Sequence, residues 1–241
     1  FILYYNLESQ FEKHKGKIFI LHKEMEFLQN IFALVCKKSE IRCIALQHGF
    51  YEDSGKFVNV ENVNSINYLA SSATEIWCWG ESSKVLFKKY TDAYISIVGI
   101  PSNLSINNDK ARDNSFAVVF DSSQRNEANI KLHKLTNLLS AEAFYHPDDP
   151  LYIPRSDNFD VINAQKVIGC HSSLLIKVAF SGTSVLVLPE SRLLKNPNPE
   201  KSINIYDNLI EFTETDAKYH IKFGGDFCLN RAHELLNKKE I

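Results

Sequence analysis

Short apolar runs alternate with amphipathic stretches along most of the chain. A run of four or five apolar residues predicts a strand that is buried on both faces, and apolar residues at every third or fourth position predict a helix. The predicted strands are residues 18–21, 41–47, 75–79, 94–98, 116–120, 142–145, 159–162, 166–169 and 184–188. The predicted helices are residues 23–38, 81–90, 126–139, 173–181 and 228–238. Strands that alternate with helices indicate parallel sheets built from β-α-β units.

One polar stretch, residues 102–114 (SNLSINNDKARDN), interrupts this alternation and predicts a linker. We therefore predict an α/β protein with two Rossmann-like α/β/α domains that face a cleft. The first domain covers residues 1–101, and the second covers residues 115–241. The chain starts with FILYYN and has no initiator methionine, which leaves open whether it is N-terminally incomplete.

The composition is that of an ordinary globular protein, with 44% hydrophobic residues, 23% charged residues and a net charge of −2. This charge provides no general attraction to nucleic acid, and we expect no nucleic-acid partner. The five cysteines form no C-x-x-C pair, which favours free thiols in a reducing compartment. No apolar run approaches the ~20 residues of a membrane-spanning helix. We expect a cytoplasmic protein and leave open a peripheral contact with the inner membrane face.

Polar and titratable residues follow several of the predicted strands. The segments are QHGFYED after strand 41–47, DSSQR after 116–120, HPDDP after 142–145 and CHSS after 166–169. Ligands of parallel α/β sheets bind beyond the carboxyl ends of the strands, where loop amides and helix N-termini converge. Loop polarity and helix capping are alternative explanations for each segment taken alone.

A helix that opens with Ser172 and Ser173 suits a phosphate, because hydroxyls, backbone amides and the helix dipole all favour an anion there. A plain helix N-cap is the alternative. His146 precedes Pro147, which holds it extended, so that it could donate to a phosphate or a base; a surface turn is the alternative. No G-x-G-x-x-G or Walker loop occurs, and no zinc or calcium ligand spacing, so we expect no metal site.

The ordered set of motifs resembles one enzyme class. The motifs are LQHGFY, EIWCWGESSKVLFKKY, VGIP, FYHPDD and IGCHSSLLIKVAFSGTSVLVLP. Their order across about residues 18–190 resembles bacterial glycosyltransferases of the GT-B type that build surface polysaccharides. It is similar to that of bacterial sialyltransferases and polysialyltransferases, and to that of CDP-glycerol glycerophosphotransferases.

The resemblance implies a metal-independent glycosyltransferase with no cofactor, which transfers a sugar from a nucleotide-activated donor to a bacterial glycan or glycolipid of capsule or lipopolysaccharide. Lys177 stands where many UDP- or GDP-sugar enzymes carry a glutamate, which favours a CMP-linked donor such as sialic acid or Kdo. The resemblance implies that His146 contacts the nucleotide and that Ser172 and Ser173 hold the donor phosphate. Pro147, Ser122 and Ser123, which lie in the segments that follow predicted strands, are further candidates for nucleotide and phosphate binding. The candidates for the catalytic base are His48, Glu52 and Asp53.

Three other functions stay open at this point. The first is a CDP-glycerol or polyol-phosphate transferase on the same scaffold, the second a nucleotide-sugar epimerase, and the third a non-catalytic sugar-binding module. The nucleotide that binds, and the product that forms with or without an acceptor, would distinguish them.

Overall fold

The computed structural model describes residues 2–22, 27–49, 72–101, 115–153, 164–194, 196–203, 207–213, 221–222 and 225–238. The chain divides into two compact units. Unit 1 contains Phe1–Pro101 and His220–Ile241, and unit 2 contains Ser102–Tyr219. No helix among the described residues has both the length and the apolar character that crossing a membrane requires.

The described strands and helices follow the predicted alternation. The strands are β1 (Ile18–His22), β2 (Arg42–Leu46), β3 (Glu75–Cys78), β4 (Tyr94–Ile97), β5 (Phe116–Val119), β6 (Glu142–Phe144), β7 (Lys166–Gly169), β8 (Ser184–Val187) and β9 (Ile210–Phe212). The helices are α1 (Ile2–Phe11), α2 (Phe27–Lys38), α3 (Glu81–Phe87), α4 (Asn126–Leu139), α5 (Ser173–Phe180) and α6 (Gly225–Asn237). The predicted strand at residues 159–162 lies outside the described residues. Helix α1 and strand β9 were not predicted.

Unit 1 contains a sheet of four parallel strands in the order β1-β2-β3-β4. Neighbouring residues on a strand point to opposite faces of a sheet, so Ile76 and Trp77 enter two different cores. Ile76 packs with Leu86 of α3, whereas Trp77 packs with Leu235 of α6. The two faces of the sheet are therefore covered by different helices.

Unit 2 contains a five-stranded sheet in the order β6-β5-β7-β8-β9, in which only β9 is antiparallel to its neighbour. From β5 the chain first adds β6 on one side and then returns to add β7 on the other. This reversal makes a topological switch point between β5 and β7, where open parallel sheets bind their ligands. The two units confirm the predicted fold class of two Rossmann-like α/β domains.

The last helix corrects the predicted domain assignment, because α6 belongs to unit 1 and not to the second domain. Its Leu235 is buried against Ile44 and Trp77. Arg42 of β2 donates to the backbone carbonyl of Leu235 at 2.9 Å and to the buried carboxylate of Glu75 at 2.9 Å. An amphipathic pattern predicts a helix but does not say which sheet the helix covers.

Candidate functional site

Two strand-end loops are joined at the switch point of unit 2. Asp121 follows β5, and both of its carboxylate oxygens accept from the backbone N–H of His171, at 3.0 and 3.1 Å. His171 comes shortly after β7. Asp121 is only 2% exposed. Burial raises the pKa of its carboxyl group, whereas the His171 N–H and the charges of Arg125 and Arg192 favour the ionised form.

Asn129, in the first turn of α4, fixes the loop that contains Asp121. Its side-chain oxygen accepts from the backbone N–H of Asp121 at 3.0 Å. Its amide nitrogen donates to the carbonyls of Asp121 and Ser122, both at 3.2 Å. Asn129 is buried. Hydrogen bonds to one buried side chain therefore fix the conformation of this loop.

The serine pair after β5 and the His-Pro turn after β6 meet through Asp148. Ser122 donates from its hydroxyl to Asp148 at 2.5 Å, and Ser123 donates from its backbone N–H at 3.0 Å. Nδ1 of His146 lies 2.7 Å from the same carboxylate. Desolvation works against ionisation, but these hydrogen bonds hold the pKa of Asp148 at about 2. The predicted residues Ser122, Ser123 and His146 therefore lie together.

The hydrogen bond to Asp148 determines which nitrogen of the neutral His146 ring carries the proton. An ionised carboxylate can only accept, so Nδ1 must donate to it. The backbone N–H of Asp148 also lies 3.3 Å from Nδ1, but this longer contact requires Nδ1 to be an acceptor. We assign the proton to Nδ1 because the 2.7 Å contact to an anion is the stronger one. In the neutral ring Nε2 is then an acceptor.

Helix α5 begins at the predicted serines. The hydroxyl oxygen of Ser172 accepts from the backbone N–H of Leu174 at 3.3 Å, which makes Ser172 the N-cap. Ser173 is the first residue of the helix, and its backbone N–H has no acceptor among the described residues. Unsatisfied N–H groups and the helix dipole make such an end suitable for an anion. The N-cap and phosphate interpretations are therefore compatible.

Gly169 allows α5 to begin close to the end of β7. A Cβ atom at this position would lie 2.6 Å from Cδ1 and 2.9 Å from Cδ2 of Leu175. Leu175 is fully buried, so its side chain has little room to move. Only glycine permits this approach of the helix to the strand.

Arg192 and His171 form a second link behind the loop. His171 Nδ1 accepts from the backbone N–H of Arg192 at 3.1 Å, and its carbonyl accepts from the guanidinium at 3.2 Å. Burial and the nearby charges of Arg125, Arg192 and Lys131 lower the pKa of His171 to about 3. His171 is therefore neutral at pH 7 and carries its proton on Nε2. Lys131 is paired with Glu190, so Arg125 and Arg192 are the cations that favour an anion here.

A metal ion fits this edge of the sheet poorly, although three possible ligands lie near each other. Asp121, Cys170 and His171 bring an oxygen, a sulfur and a nitrogen within 4.8 Å of one another. Burial raises the pKa of the Cys170 thiol, and a metal would need the thiolate. The carboxylate already accepts from His171, and the adjacent arginines repel a cation. That the protein needs no metal stays a prediction.

The predicted catalytic residues lie in unit 1. His48 follows β2 and is half-buried. Its ring lies 5.7 Å from that of His22, between centroids, at the carboxyl edge of the sheet. His22 is the last residue of β1 and is exposed. Glu52 and Asp53 lie outside the described residues.

Gln47 fixes the position of the backbone at His48. Its side-chain oxygen accepts from the backbone N–H of Trp79 at 2.8 Å, and its amide nitrogen donates to the carbonyl of Gly49 at 2.8 Å. The indole N–H of Trp79 donates back to the carbonyl of Gln47 at 2.9 Å. Both side chains are buried.

Several of these supporting residues were missed by reasoning from the sequence. Asn129 and Arg192 act through contacts that only the fold creates, so no local pattern could identify them. A signal did exist for His22 and Gln47, because both lie at the carboxyl ends of predicted strands.

No protein-family model and no curated protein matches the sequence. Solved structures do match the fold. A Listeria monocytogenes protein assigned as a UDP-N-acetylglucosamine 2-epimerase has a TM-score of 0.52 at 12% identity, over 97% of this chain and 77% of that one. A second UDP-N-acetylglucosamine 2-epimerase has a TM-score of 0.51 at 14% identity, over 96% of this chain and 74% of that one. At this identity the likeness shows a shared GT-B-like fold.

These neighbours correct the expected enzyme class. They are UDP-N-acetylglucosamine 2-epimerases, not sialyltransferases or glycosyltransferases of capsule or lipopolysaccharide synthesis. The assignment to the sialyltransferase-like class is therefore wrong, and the GT-B-like fold is the part of the resemblance that is confirmed. Of the functions left open by the sequence, the nucleotide-sugar epimerase matches the neighbours better than the glycosyltransferase does.

Proposed function

We propose that the protein is a nucleotide-sugar epimerase that binds a UDP-linked sugar at the switch point of unit 2. The observation that carries this proposal is the buried bond between Asp121 and the N–H of His171. It joins the loops after β5 and β7 at the place where parallel α/β sheets bind nucleotides. The shared fold with UDP-N-acetylglucosamine 2-epimerases supports the same assignment.

The diphosphate would lie at the start of α5. The N–H and hydroxyl of Ser173 can donate to phosphate oxygens there, and the hydroxyl of Ser172 can donate while its oxygen caps the helix. Arg125 and Arg192 supply positive potential from the two flanking loops. Backbone amides, hydroxyls and guanidinium groups together can hold two phosphates without a metal ion.

A neutral His146 ring suits a uracil base better than a cytosine base. Its Nδ1 donates to Asp148, so Nε2 of the neutral ring is an acceptor. N3 of uracil carries a hydrogen, whereas N3 of cytosine is itself an acceptor. A contact between Nε2 and N3 would therefore be a hydrogen bond with uracil and a repulsion between lone pairs with cytosine. We therefore propose a UDP-linked substrate in place of the CMP-linked donor that Lys177 favoured.

Inversion at C2 by proton transfer removes the C2 proton from one face and returns a proton to the other. The electron pair of the broken C–H bond forms a C1=C2 double bond as the C1–O bond to UDP breaks, and UDP adds back to C1 when C2 is protonated. Groups that hold and release a proton near pH 7 are suited to this step. His48 and its neighbour His22 place two imidazole rings at the carboxyl edge of the first sheet. We propose His48 as an acid–base residue and keep Glu52 and Asp53 as proposed partners in proton transfer.

The test uses UDP-N-acetylglucosamine in D₂O, followed by proton NMR. The expected result is formation of the C2 epimer with deuterium at the inverted carbon, with no acceptor added. A thermal-shift series with UDP, CDP, CMP and GDP accompanies it. A ligand at a hundred times its Kd stabilises the folded state by about 2.7 kcal/mol, and we expect the largest shift with UDP.

Two variants separate binding from chemistry. His146→Ala should remove most of the UDP shift, and His48→Ala should keep the shift and lose turnover. Stabilisation by UDP without epimer or deuterium would leave a nucleotide-binding protein and refute the epimerase assignment. A shift with CMP or CDP but not UDP would refute the argument from His146.

A further inference from the structure

Strand β4 is an edge strand of the unit 1 sheet as far as the structure describes it. Among the described residues it pairs only with β3. The backbone N–H groups of Tyr94 and Val98 donate to carbonyls of the β3 side, at 3.0 and 2.9 Å. Because backbone groups alternate in direction along a strand, the N–H and C=O groups of Ile95 and Ile97 point away from β3. Two donors and two acceptors therefore face outward.

A groove of about 480 Å³ runs along this edge. Its walls come from α3 on one face of the sheet and from α6 on the other. Lys84 of α3 lies on one side, and Lys222, Phe227 and Arg231 lie on the other. The floor of the groove is the backbone of β4. A strand rises about 3.3 Å per residue, so a short extended peptide can pair along the whole length of β4.

The groove is positively charged. Lys84, Lys222 and Arg231 contribute three positive charges and Glu234 one negative charge, so the lining carries a net charge of +2. Glu234 is already paired with Arg231 at 2.6 Å. Lys222 lies over the ring of Phe227, with Nζ 5.2 Å from the centroid. Neither Lys84 nor Lys222 forms an ion pair within the part of the chain that the structure describes.

We propose that this groove binds an extended acidic peptide segment of a partner protein, which adds as a strand beside β4. A peptide backbone can satisfy both the outward N–H and the outward C=O groups, whereas a small anion would leave the carbonyls of Ile95 and Ile97 facing a negative charge. Successive side chains of an added strand point to opposite faces. Two consecutive acidic residues would therefore reach Lys84 on one side and Lys222 on the other.

The test measures fluorescence anisotropy of the labelled peptide Val-Thr-Glu-Asp-Val-Thr with the full chain. Two control peptides keep the length: one carries Lys-Arg in place of Glu-Asp, and one carries N-methyl groups on alternate backbone nitrogens. We expect the acidic peptide to bind at least about tenfold more tightly than either control. The first control tests the charge complementarity, and the second tests the backbone pairing.

Charge reversal of the groove supplies the matched protein variants. Lys84→Glu with Lys222→Glu should weaken binding of the acidic peptide about tenfold, as expected for two exposed charge pairs. Lys13→Glu with Lys17→Glu makes the same change in net charge at exposed positions outside the groove and should leave binding unchanged. Thermal melting checks that both variants fold.

Three results would overturn the proposal. The first is binding of the N-methylated peptide as tight as that of the acidic one, because strand addition would then play no part. The second is equal loss in both charge-reversal variants, which would indicate attraction by net charge alone. The third is no binding of the acidic peptide to the unmodified protein. The cations would then serve only to keep the sheet edge from self-association.

Discussion

Replacement of Gln47 by methionine would test the link between the fold of unit 1 and the position of His48. Gln47→Met keeps the length of the side chain and removes both of its polar groups. The backbone N–H of Trp79 loses its acceptor at 2.8 Å, and the carbonyl of Gly49 loses its donor at 2.8 Å. The indole of Trp79 keeps its bond to the carbonyl of Gln47.

The expected cost follows from the burial of these two groups. Trp79 is 3% exposed, so its N–H cannot reach water, and an unsatisfied buried donor costs about 1–3 kcal/mol. Gly49 is half-buried, and its carbonyl loses about 0.5–1.5 kcal/mol of net hydrogen bonding. We expect a loss of about 2–4 kcal/mol in the free energy of unfolding of unit 1. This is a large part of the stability of a typical domain.

Urea unfolding monitored by tryptophan fluorescence measures this change directly. The chain has only two tryptophans, Trp77 and Trp79, and both belong to unit 1. Gln10→Met at an exposed position of α1 is the matched control and should change stability by less than about 0.5 kcal/mol. A change that small for Gln47→Met would refute the reasoning. If the protein is an epimerase, the variant should also lose turnover while keeping its UDP shift.

Two further predictions concern unit 2. Gly169→Ala forces a methyl group against the buried Leu175 and should lower the free energy of unfolding in urea by about 1–3 kcal/mol. The thermal shift produced by UDP should also become smaller. Gly49→Ala is the control, because its Cβ would meet nothing within 4 Å. An unchanged UDP shift would show that the start of α5 does not contact the ligand. The pKa of His171 is lowered from 6.5 to about 3 in the folded protein. Between these two pH values the unfolded chain binds a proton at His171 and the folded chain does not, so the free energy of unfolding falls as the pH falls from about 6.5 to about 3. His171→Asn, which keeps an acceptor for Arg192, should flatten the stability profile between about pH 6.5 and 4, whereas the exposed control His233→Asn should not.

The order of elements could be predicted from the sequence because each described strand of the two parallel sheets is a short apolar run bounded by polar turn residues. Within the described residues these strands begin and end within one residue of the prediction. Strand β9 was missed because it is a three-residue edge strand with two exposed residues, and so lacks a buried run. The place of α6 was missed because its partner sheet lies more than 100 residues earlier in the chain.

The site could be predicted only as far as local geometry determines it. Ser172 was identifiable as a helix cap, because a serine between a strand and an apolar helical stretch has few other roles. The bond between Asp121 and His171 joins residues that are 50 positions apart. Asn129 would be unfavourable inside a helix by propensity alone, and the reason for its presence is the loop that it supports. Such contacts depend on the strand order, which no local pattern reveals.

The difference between local motifs and contacts made by the fold also explains why the motifs of this chain resembled those of glycosyltransferases. Ser122 and His146 are joined through Asp148, and Ser172 and Ser173 begin α5. We propose that this edge binds a nucleotide diphosphate. Any enzyme that holds a nucleotide sugar at such a switch point needs similar loops, whether it transfers the sugar or inverts one of its carbons. The reaction is determined instead by the groups that meet the sugar, for which we propose His48, Glu52 and Asp53; of these three, His48 lies within the described residues. A motif set dominated by strand-end loops therefore predicts the fold, and the binding of UDP and the C2 epimer are the measurable consequences of the function that we propose.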